Sequence, residues 1–187
     1  MTPPGMRADA RRNRERVLAA AEEVFAERGV AASTEEVARR AGVGIGTVFR
    51  HFPTKEVLYE AIVVRRLSQL VEDAPLEDDD AGGAFREFFG RIVEVAATKK
   101  AFADTMAVVG IDVKKSAPDV GEEIRRTFAL LLERAQQAGA IRPDVTLPEV
   151  WVLLAGACLA ADHTDDPALR DRALEVLFDG LAPRETR

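Results

Sequence analysis

The sequence predicts an all-α protein, and three observations lead to this fold class. Apolar residues recur at i, i+3, i+4 and i+7 from one end of the chain to the other, which is the spacing of amphipathic helices. The strict alternation of apolar and polar residues that marks a half-buried strand is nearly absent. Capping residues, prolines and glycines then divide the 187 residues into about nine helical segments.

The first helix is expected over about residues 10–28 and is followed by Gly29, a residue type that favours helix ends. Its apolar stripe consists of Val17, Leu18, Ala21, Val24 and Phe25. The second, short helix begins after Ser33, because Ser-Thr-Glu-Glu fits a capping box. In that motif the Ser33 hydroxyl accepts a backbone N–H at the helix start, and Glu36 reaches back to the Ser33 backbone.

A tight turn separates the second helix from a short third one. Gly42 ends the second helix and can adopt the left-handed conformation that such a turn needs. The third helix covers about residues 45–51 and is closed by Pro53, since the residue before a proline is disfavoured in helical geometry. Thr54 then caps a long fourth helix over about residues 55–72.

A linker follows, formed by Ala74-Pro75, the acidic run 77–80 and Gly82-Gly83. Beyond it five more helices are expected, over about residues 84–98, 99–110, 118–138, 147–163 and 167–181. The starts of the last three are marked by Pro118, by a second capping box at Thr146–Glu149, and by Asp166-Pro167. We therefore expect one domain over residues 1–66 and a second over residues 67–187.

The two predicted domains carry opposite net charge. Residues 1–66 hold 12 basic and 9 acidic side chains, and residues 67–187 hold 14 basic and 23 acidic ones. The first domain can therefore face a polyanion, whereas the second would repel one. Solvated helix faces often carry a similar imbalance, so charge alone leaves the partner open.

Composition argues against several other classes of protein. The single Cys158 cannot form an internal disulfide and suggests a reducing compartment. The longest apolar run, Val150 to Ala161, has 12 residues, well below the roughly 20 needed to span a bilayer. No secretory signal is recognisable, so a cytoplasmic location without membrane attachment is expected. With only His51 and His163 available, no catalytic triad can be built, and we expect neither an enzyme nor a cofactor or metal site.

The second and third helices have the size of a helix-turn-helix, whose second helix enters the DNA major groove N-terminus first. Gly44 and Gly46 make the leading end of that helix small, although glycine there is less favourable than alanine by up to about 1 kcal/mol. Thr47 offers a hydroxyl and a methyl group that can read a base edge. Side chains placed to reach flanking bases and phosphates are Phe49, Arg50 and His51.

Two groups of cations fit the same interpretation. Lys55 lies in the first turn of the fourth helix, where a cation opposes the helix dipole unless a phosphate binds beside it. The start of the first helix carries an arginine cluster that suits a phosphate or minor-groove arm, namely Arg7, Arg11, Arg12, Arg14 and Arg16. Short helices joined by a glycine turn also occur in proteins that never bind DNA, so the geometry alone leaves both readings open.

The stretch STEEVARRAGVGIGTVFRHFPTKEVLYEAI, residues 33–62, resembles the DNA-binding signature of the TetR family of transcriptional regulators. The preceding VLAAAEEVFAERG is similar to the first helix of that signature. The resemblance implies an all-α fold with a helix-turn-helix over about residues 33–52. It further implies base contacts from Ile45, Gly46 and Thr47, and phosphate contacts from Phe49, His51 and Lys55.

Two positions differ from the usual family pattern. Gly44 stands where serine is commoner, and glycine still caps a helix tolerably. Phe49 stands where tyrosine is commoner and lacks the hydroxyl that would bond a phosphate, so we expect only an apolar contact from it. Farther along, VEVAATKKAFADTM and LLERAQQAGAIRPDV are similar to the regulatory domains of one subgroup of the family.

The helix over 147–163 is apolar on every side, which predicts burial against its own core on one side and a partner on the other. Together with the last helix it predicts a symmetric homodimer, similar to the four-helix interface usual in the family. The interface residues expected are Val152, Gly156, Leu159, Ala160, Leu174 and Leu177. A monomer with a well-filled core is the alternative.

Aromatic and flexible apolar side chains of the second domain could line a cavity for an apolar small-molecule effector. They are Phe85, Phe88, Phe89, Phe102, Met106, Phe128, Leu131 and Trp151. The same helical spacing is also typical of plain core, so both interpretations stand.

Together these features predict a dimeric, ligand-responsive transcriptional regulator, a repressor, that binds a palindromic operator in double-stranded DNA. Effector binding within residues 84–163 would shift the fourth helix and with it the spacing of the two DNA-binding domains. The alternative is an α-helical small-molecule binding protein or enzyme whose helix-turn-helix is only a packing unit. That alternative predicts no salt-dependent binding to duplex DNA.

Overall fold

Helices account for nearly all the regular structure in the computed structural model, which describes residues 4–28, 32–103, 117–164 and 166–183. These ranges contain eight α-helices and no strand, so the all-α prediction is confirmed. The helices are α1 (Pro4–Arg28), α2 (Thr34–Ala41), α3 (Ile45–His51), α4 (Lys55–Glu72), α5 (Ala81–Ala103), α6 (Pro118–Gln137), α7 (Leu147–Asp162) and α8 (Pro167–Leu181).

The described chain forms two compact units that divide within α4, between Arg65 and Arg66. The first unit holds α1 to α3, most of α4 and the last three residues of α5, and the second holds the rest of α4 and α5 and the helices that follow. None of the described helices is long and apolar enough to cross a membrane.

Two predicted boundaries in the second unit are wrong. Gly82 and Gly83 belong to the first turn of α5 rather than to a linker, because Asp80 caps the helix by accepting the Gly83 N–H at 2.8 Å. A Cβ on Gly82 would lie 2.7 Å from the Cβ of Ala140, so glycine allows this close approach. The break expected at residues 98–99 is also absent, since α5 continues to Ala103. The rest of the helix predicted over 99–110 lies outside the described residues.

The first unit has a core drawn from all of its helices. The predicted stripe of α1 is buried: Val17, Leu18, Ala21, Val24 and Phe25 are at most 7% exposed. The other helices contribute Val37, Ala38, Ala41, Val48, Leu58, Tyr59, Ile62 and Val63. Each of these helices therefore turns one apolar face inward, and its opposite face stays available for other contacts.

Ion pairs fix α2 on α1. Arg40 donates to both carboxylate oxygens of Glu27 at 2.8 Å and to Glu23 at 3.2 Å. The hydrogen bonds that Arg40 donates lower the pKa of Glu27, and donation to Glu27 and Glu23 raises the pKa of Arg40. The α2 cap is only half as predicted, because Ser33 Oγ accepts the Glu36 N–H at 3.1 Å but the Glu36 carboxylate pairs with Arg28 at 3.0 Å.

The helix starts predicted for α7 and α8 are confirmed. Glu149 accepts hydrogen bonds at 2.7 Å from the backbone N–H and the hydroxyl of Thr146, which lower the pKa of Glu149. Asp166 Oδ1 accepts the backbone N–H of Ala168 at 2.9 Å. At the C-terminal end of α6, Gln136 Nε2 donates to the carbonyl of Val145 at 2.8 Å, which ties the following connection to that helix.

Candidate nucleic-acid interface

Helix α3 divides its apolar side chains between two faces. Val48 and Phe52 are 0% and 2% exposed and anchor the helix in the core of the first unit. Ile45 and Phe49, one helical turn apart, are 38% and 45% exposed. The outer face of this seven-residue helix is therefore available to a partner from outside the chain.

The turn before α3 is fixed by backbone geometry. Gly42 adopts φ 64° and ψ 38°, and its N–H donates to the carbonyls of Ala38 and Arg39. L-residues other than glycine avoid this left-handed conformation because of their Cβ. Arg16 of α1 lies against the same turn, since a Cβ at residue 42 would come within 2.8 Å of Arg16 Nη2. The left-handed turn predicted at Gly42 is thus confirmed.

The two glycines at the leading end of α3 have no explanation within the described part of the fold. Gly44 precedes the helix with φ −69° and ψ 147°, which any residue adopts. Gly46 lies within the first turn, where glycine is less favourable than alanine. A Cβ built on Gly44 or Gly46 meets nothing within 4 Å. The small end of α3 is exposed and is required neither by backbone conformation nor by packing against the described residues.

The remaining predicted residues of α3 surround this small end. Thr47 is half-buried, Arg50 is exposed, and His51 is half-buried with its ring centroid 6.3 Å from that of Phe52. Together with Ile45, Gly46 and Phe49 they lie within two turns of one helix. The helix therefore presents a hydroxyl and apolar groups toward its N-terminus and cationic or titratable groups toward its C-terminus.

Two cations flank α3 by stacking on aromatic rings. Lys55 Nζ lies 5.5 Å from the ring centroid of Phe25, at the start of α4. The Arg14 guanidinium lies 5.3 Å from the ring centroid of Phe52, the residue that ends α3. Cation–π contacts of this kind orient a cation without neutralising its charge. Both cations therefore keep their charge and can attract a phosphate, although Arg14 also pairs with Glu15 at 4.0 Å.

The arginine cluster of α1 is helical rather than an extended arm, because α1 begins at Pro4, ahead of the predicted start. Arg11 and Arg12 are exposed, and Arg12 pairs with Asp9 one turn before it. Arg14 is the member that contacts the end of α3. This contact was not predicted from the sequence. The helical spacing could have predicted the contact. Arg14 precedes the buried Leu18 by four residues and so lies on the helix face that packs on the core.

In the second unit, most of the side chains predicted to line an effector cavity pack against one another. Phe85, Phe88, Phe89, Phe128 and Leu131 are each 0% exposed. The Phe128 ring is the centre of the cluster, with centroid distances of 4.9 Å to Phe88, 6.0 Å to Phe85 and Phe89, and 5.6 Å to the half-buried Trp151. The side chain of Phe102 and all of Met106 lie outside the described residues. The effector cavity therefore stays a prediction.

The residues predicted for a dimer interface come together on α7 and α8. Val152, Gly156, Leu159 and Ala160 are exposed along α7, and Leu174 and Leu177 are half-buried on α8. A groove of about 330 Å³ runs beside them, with Gly156, Ala157 and Ala160 among its lining residues. Arg170 is the one charged side chain among the described residues that line the groove.

Comparison with known proteins identifies both units. Residues 17–62 match the family described as bacterial regulatory proteins, tetR family, and residues 80–183 match the C-terminal domain of SbtR-like transcriptional regulators. The HTH-type transcriptional regulator UidR of Escherichia coli K12 is 28% identical over 149 residues, which cover 75% of this chain and 74% of UidR.

Solved structures agree. The TetR transcription regulatory protein from Mycobacterium vanbaalenii is 36% identical with a TM-score of 0.67, over 95% of this chain and 99% of that one. The TetR transcriptional regulator SCO0520 from Streptomyces coelicolor is 34% identical with a TM-score of 0.68, over 92% and 99%. Two family matches, close structural similarity and a helix-turn-helix with an open leading end lead to one conclusion: this chain belongs to the TetR family of helix-turn-helix transcriptional regulators.

Proposed function

We propose that this regulator is a repressor that binds a palindromic operator as a homodimer and is released from it by a small apolar effector. Its relatives are transcriptional regulators rather than enzymes. The net positive charge of residues 1–66 supports a polyanionic partner for the first unit. In such a dimer the two α3 helices would lie about 34–36 Å apart, one turn of duplex DNA.

The open space beside Gly46 is the observation that carries DNA binding by α3. Glycine at this position lowers helix stability, and a Cβ there would meet nothing within 4 Å in the described structure. Because Gly46 lowers helix stability and the described fold does not require it, we attribute it to the close approach of a partner. The major groove is about 12 Å wide and admits an α-helix, whose backbone can come nearest to the bases where it carries no side chain.

The substitution Gly46→Ala tests this proposal because it should raise the stability of the protein and lower its affinity for DNA. Unfolding in urea should show a gain in stability of up to about 1 kcal/mol, since alanine is the better helix former. Selection from a random double-stranded DNA library should enrich a palindrome with the unmodified protein. The affinity of Gly46→Ala for that palindrome should fall at least about fivefold, because a forced methyl contact costs about 1–3 kcal/mol.

Gly121→Ala is the matched control, because Gly121 lies within α6 and also has nothing within 4 Å of an added Cβ. It should stabilise the protein in the same way and leave the affinity for DNA unchanged. Equal DNA affinity for Gly46→Ala and the unmodified protein would contradict the proposed approach of DNA to α3. No enrichment from the library, with or without metabolite extract, would contradict DNA binding altogether.

We place the dimer interface on α7 and α8. Four large apolar side chains are exposed on these two helices: Val152 (72%), Leu159 (61%), Leu169 (58%) and Val176 (57%). The same surface carries the groove lined by Gly156 and Ala160, so it holds both projecting side chains and a depression. A two-fold symmetric interface uses one patch on both subunits, which requires such self-complementarity.

Release by an effector requires a link between the two units, and α4, like the end of α5, has residues in both. An effector changes DNA affinity only by its differential affinity for two states, of which about 1–3 kcal/mol is typical. An apolar effector that binds among Phe85, Phe88, Phe89 and Phe128 would have to separate rings that are in contact in this structure. Effector binding should therefore quench or shift the fluorescence of the neighbouring Trp151, and an unchanged spectrum would place the effector elsewhere.

A further inference from the structure

The exposed face of α3 is apolar at the end that would enter the DNA groove first. Ile45 and Phe49 are 38% and 45% exposed and lie one helical turn apart. Gly44 and Gly46 beside them carry no side chain, and Thr47 is half-buried. Residues 45–49 of α3 thus offer methyl groups, an aromatic ring and one hydroxyl.

The fold does not account for the exposure of these two side chains. The inward face of α3 is already filled by Val48 and Phe52, which are 0% and 2% exposed. A single exposed apolar residue is ordinary, but adjacent ones on so short a helix form a patch. The cations of the same unit, among them Arg14 and Lys55, favour a polyanion over an apolar protein as the occupant of this patch.

The chemistry of the major groove identifies what such a patch can read. Guanine is read by arginine or lysine and adenine by asparagine or glutamine, through pairs of hydrogen bonds. Residues 45–47 include none of these four types. Thymine is the base that displays an apolar group in the groove, its C5 methyl, and aromatic and aliphatic side chains contact it.

We propose that Ile45 and Phe49 read thymine C5-methyl groups, so that each operator half-site carries thymines opposite residues 45–49 of α3. Arg50 and His51, in the last turn, then serve phosphates or flanking bases. This proposal rests on DNA binding by α3 and adds to it the base class that is recognised.

Parallel selection from two random duplex libraries tests the proposal directly. One library is amplified with dTTP and the other with dUTP, so that the second lacks every C5 methyl while base pairing is retained. The full-length protein should enrich a palindrome with fixed thymines from the first library. In the second library the preference at those positions should weaken while the other positions of the motif persist. In direct binding, replacing one contacted thymine by deoxyuridine should lower affinity about fourfold, the effect of one buried methyl-sized group.

Two variants assign the contacts to side chains. Phe49→Ala and Ile45→Ala should each lose the preference at one thymine position and bind the thymine and deoxyuridine forms of that position equally. Leu130→Ala is the matched control, because Leu130 is an apolar side chain of α6 that is 49% exposed. It should leave both selections unchanged. Circular dichroism of each variant should match the unmodified protein, since both side chains are partly exposed.

Three outcomes would overturn the proposal. Identical motifs from the two libraries would overturn thymine-methyl reading alone and leave DNA binding by α3 intact. Sensitivity to deoxyuridine that is unchanged in both Phe49→Ala and Ile45→Ala would show that other side chains contact the methyl groups. Failure of both libraries to enrich any sequence would overturn this proposal together with the proposed function.

Discussion

The α3 face and the α7–α8 face both expose large apolar side chains, yet their surroundings differ. Ile45 and Phe49 share the first unit with the cationic Arg14 and Lys55, whereas the groove lined by residues of α7 and α8 has a single charged lining residue among those described. Exposed apolar surface indicates a partner, and the charge around it indicates which kind. A polyanion suits the first face, and a second copy of the chain suits the second.

Salt should distinguish the two faces. Counterion release makes DNA affinity fall steeply as salt rises, while burial of apolar surface is strengthened by excluded salts such as sulfate. The variants below are ordered from the largest expected effect to the smallest, and each affects one face more than the other.

Leu159→Glu should disrupt dimerisation through the α7–α8 face. Leu159 is 61% exposed, so the monomer fold tolerates the change, but a symmetric dimer would bury two glutamates near one another. We expect the dimer dissociation constant to rise by a factor of a hundred or more, about 3 kcal/mol. Sedimentation velocity over a range of protein concentrations measures it.

Leu130→Glu is the control for this change, because Leu130 is an exposed leucine of α6 outside the proposed interface. It should leave the oligomeric state unaltered. A Leu159→Glu protein that still sediments as a dimer at nanomolar concentration would place the interface elsewhere on the chain.

Local features of the fold could be predicted from the sequence because their physical causes are local. Asp166 caps α8 and Gly42 adopts its left-handed turn through groups only a few residues away. Glu36 shows where this fails, since Arg28 of a different helix binds the carboxylate that the capping motif assigned to Ser33. The sequence motif cannot reveal a competing partner that only folding brings within 3.0 Å.

The candidate site shows the same limit. The resemblance implied contacts from Ile45 and Phe49, and both side chains are exposed, while Val48 and Phe52 fill the inward face of α3. The Arg14 contact with Phe52 depends on how α1 packs against α3, which helical periodicity does not specify. Periodicity also cannot distinguish a cavity wall from a filled core.

Gly42→Ala should destabilise the fold of the DNA-binding unit. Alanine is strained at φ 64°, and its Cβ would approach Arg16 Nη2 to 2.8 Å, so we expect a loss of about 1–2 kcal/mol in urea unfolding. Gly139→Ala is the control, since Gly139 has φ 69° and open space around it. Only Gly42→Ala should also weaken DNA binding. Equal DNA affinities for the two variants would show that the conformation of the Gly42 turn is not needed for DNA recognition.

Arg14→Ala tests the electrostatic contribution of the first unit to DNA binding. Removal of one phosphate contact should weaken binding to all sequences a fewfold and lower the slope of log affinity against log salt by about 0.9. Arg12→Ala is the control, because Arg12 pairs closely with Asp9, whereas the ion pair of Arg14 with Glu15 is long, at 4.0 Å. Electrophoretic mobility shifts at several salt concentrations measure both slopes. Equal slopes for Arg14→Ala and the unmodified protein would mean that the stack on Phe52 is structural only.

Glu27 supplies the smallest effect, a pH dependence confined to the DNA-binding unit. Its pKa lies below the ordinary value of 4.5, because Arg40 donates hydrogen bonds to the carboxylate. A lowered pKa means that the ionised form stabilises the fold, so this contribution is complete above pH 4.5 and is lost as the pH falls through the folded-state pKa.

Glu27→Gln should therefore flatten the dependence of Tm on pH between about pH 5 and 3. Glu35→Gln is the control and should leave that dependence unchanged, because Glu35 is an exposed carboxylate of α2 with no ion pair among the described residues. The dimer constant, measured by sedimentation over the same pH range, should be the same in both variants, because Glu27 belongs to the first unit and the proposed interface to the second. A Glu27→Gln protein with the wild-type pH profile would show that the Arg40 pair, exposed to solvent and screened by it, contributes nothing measurable to holding α2 against α1.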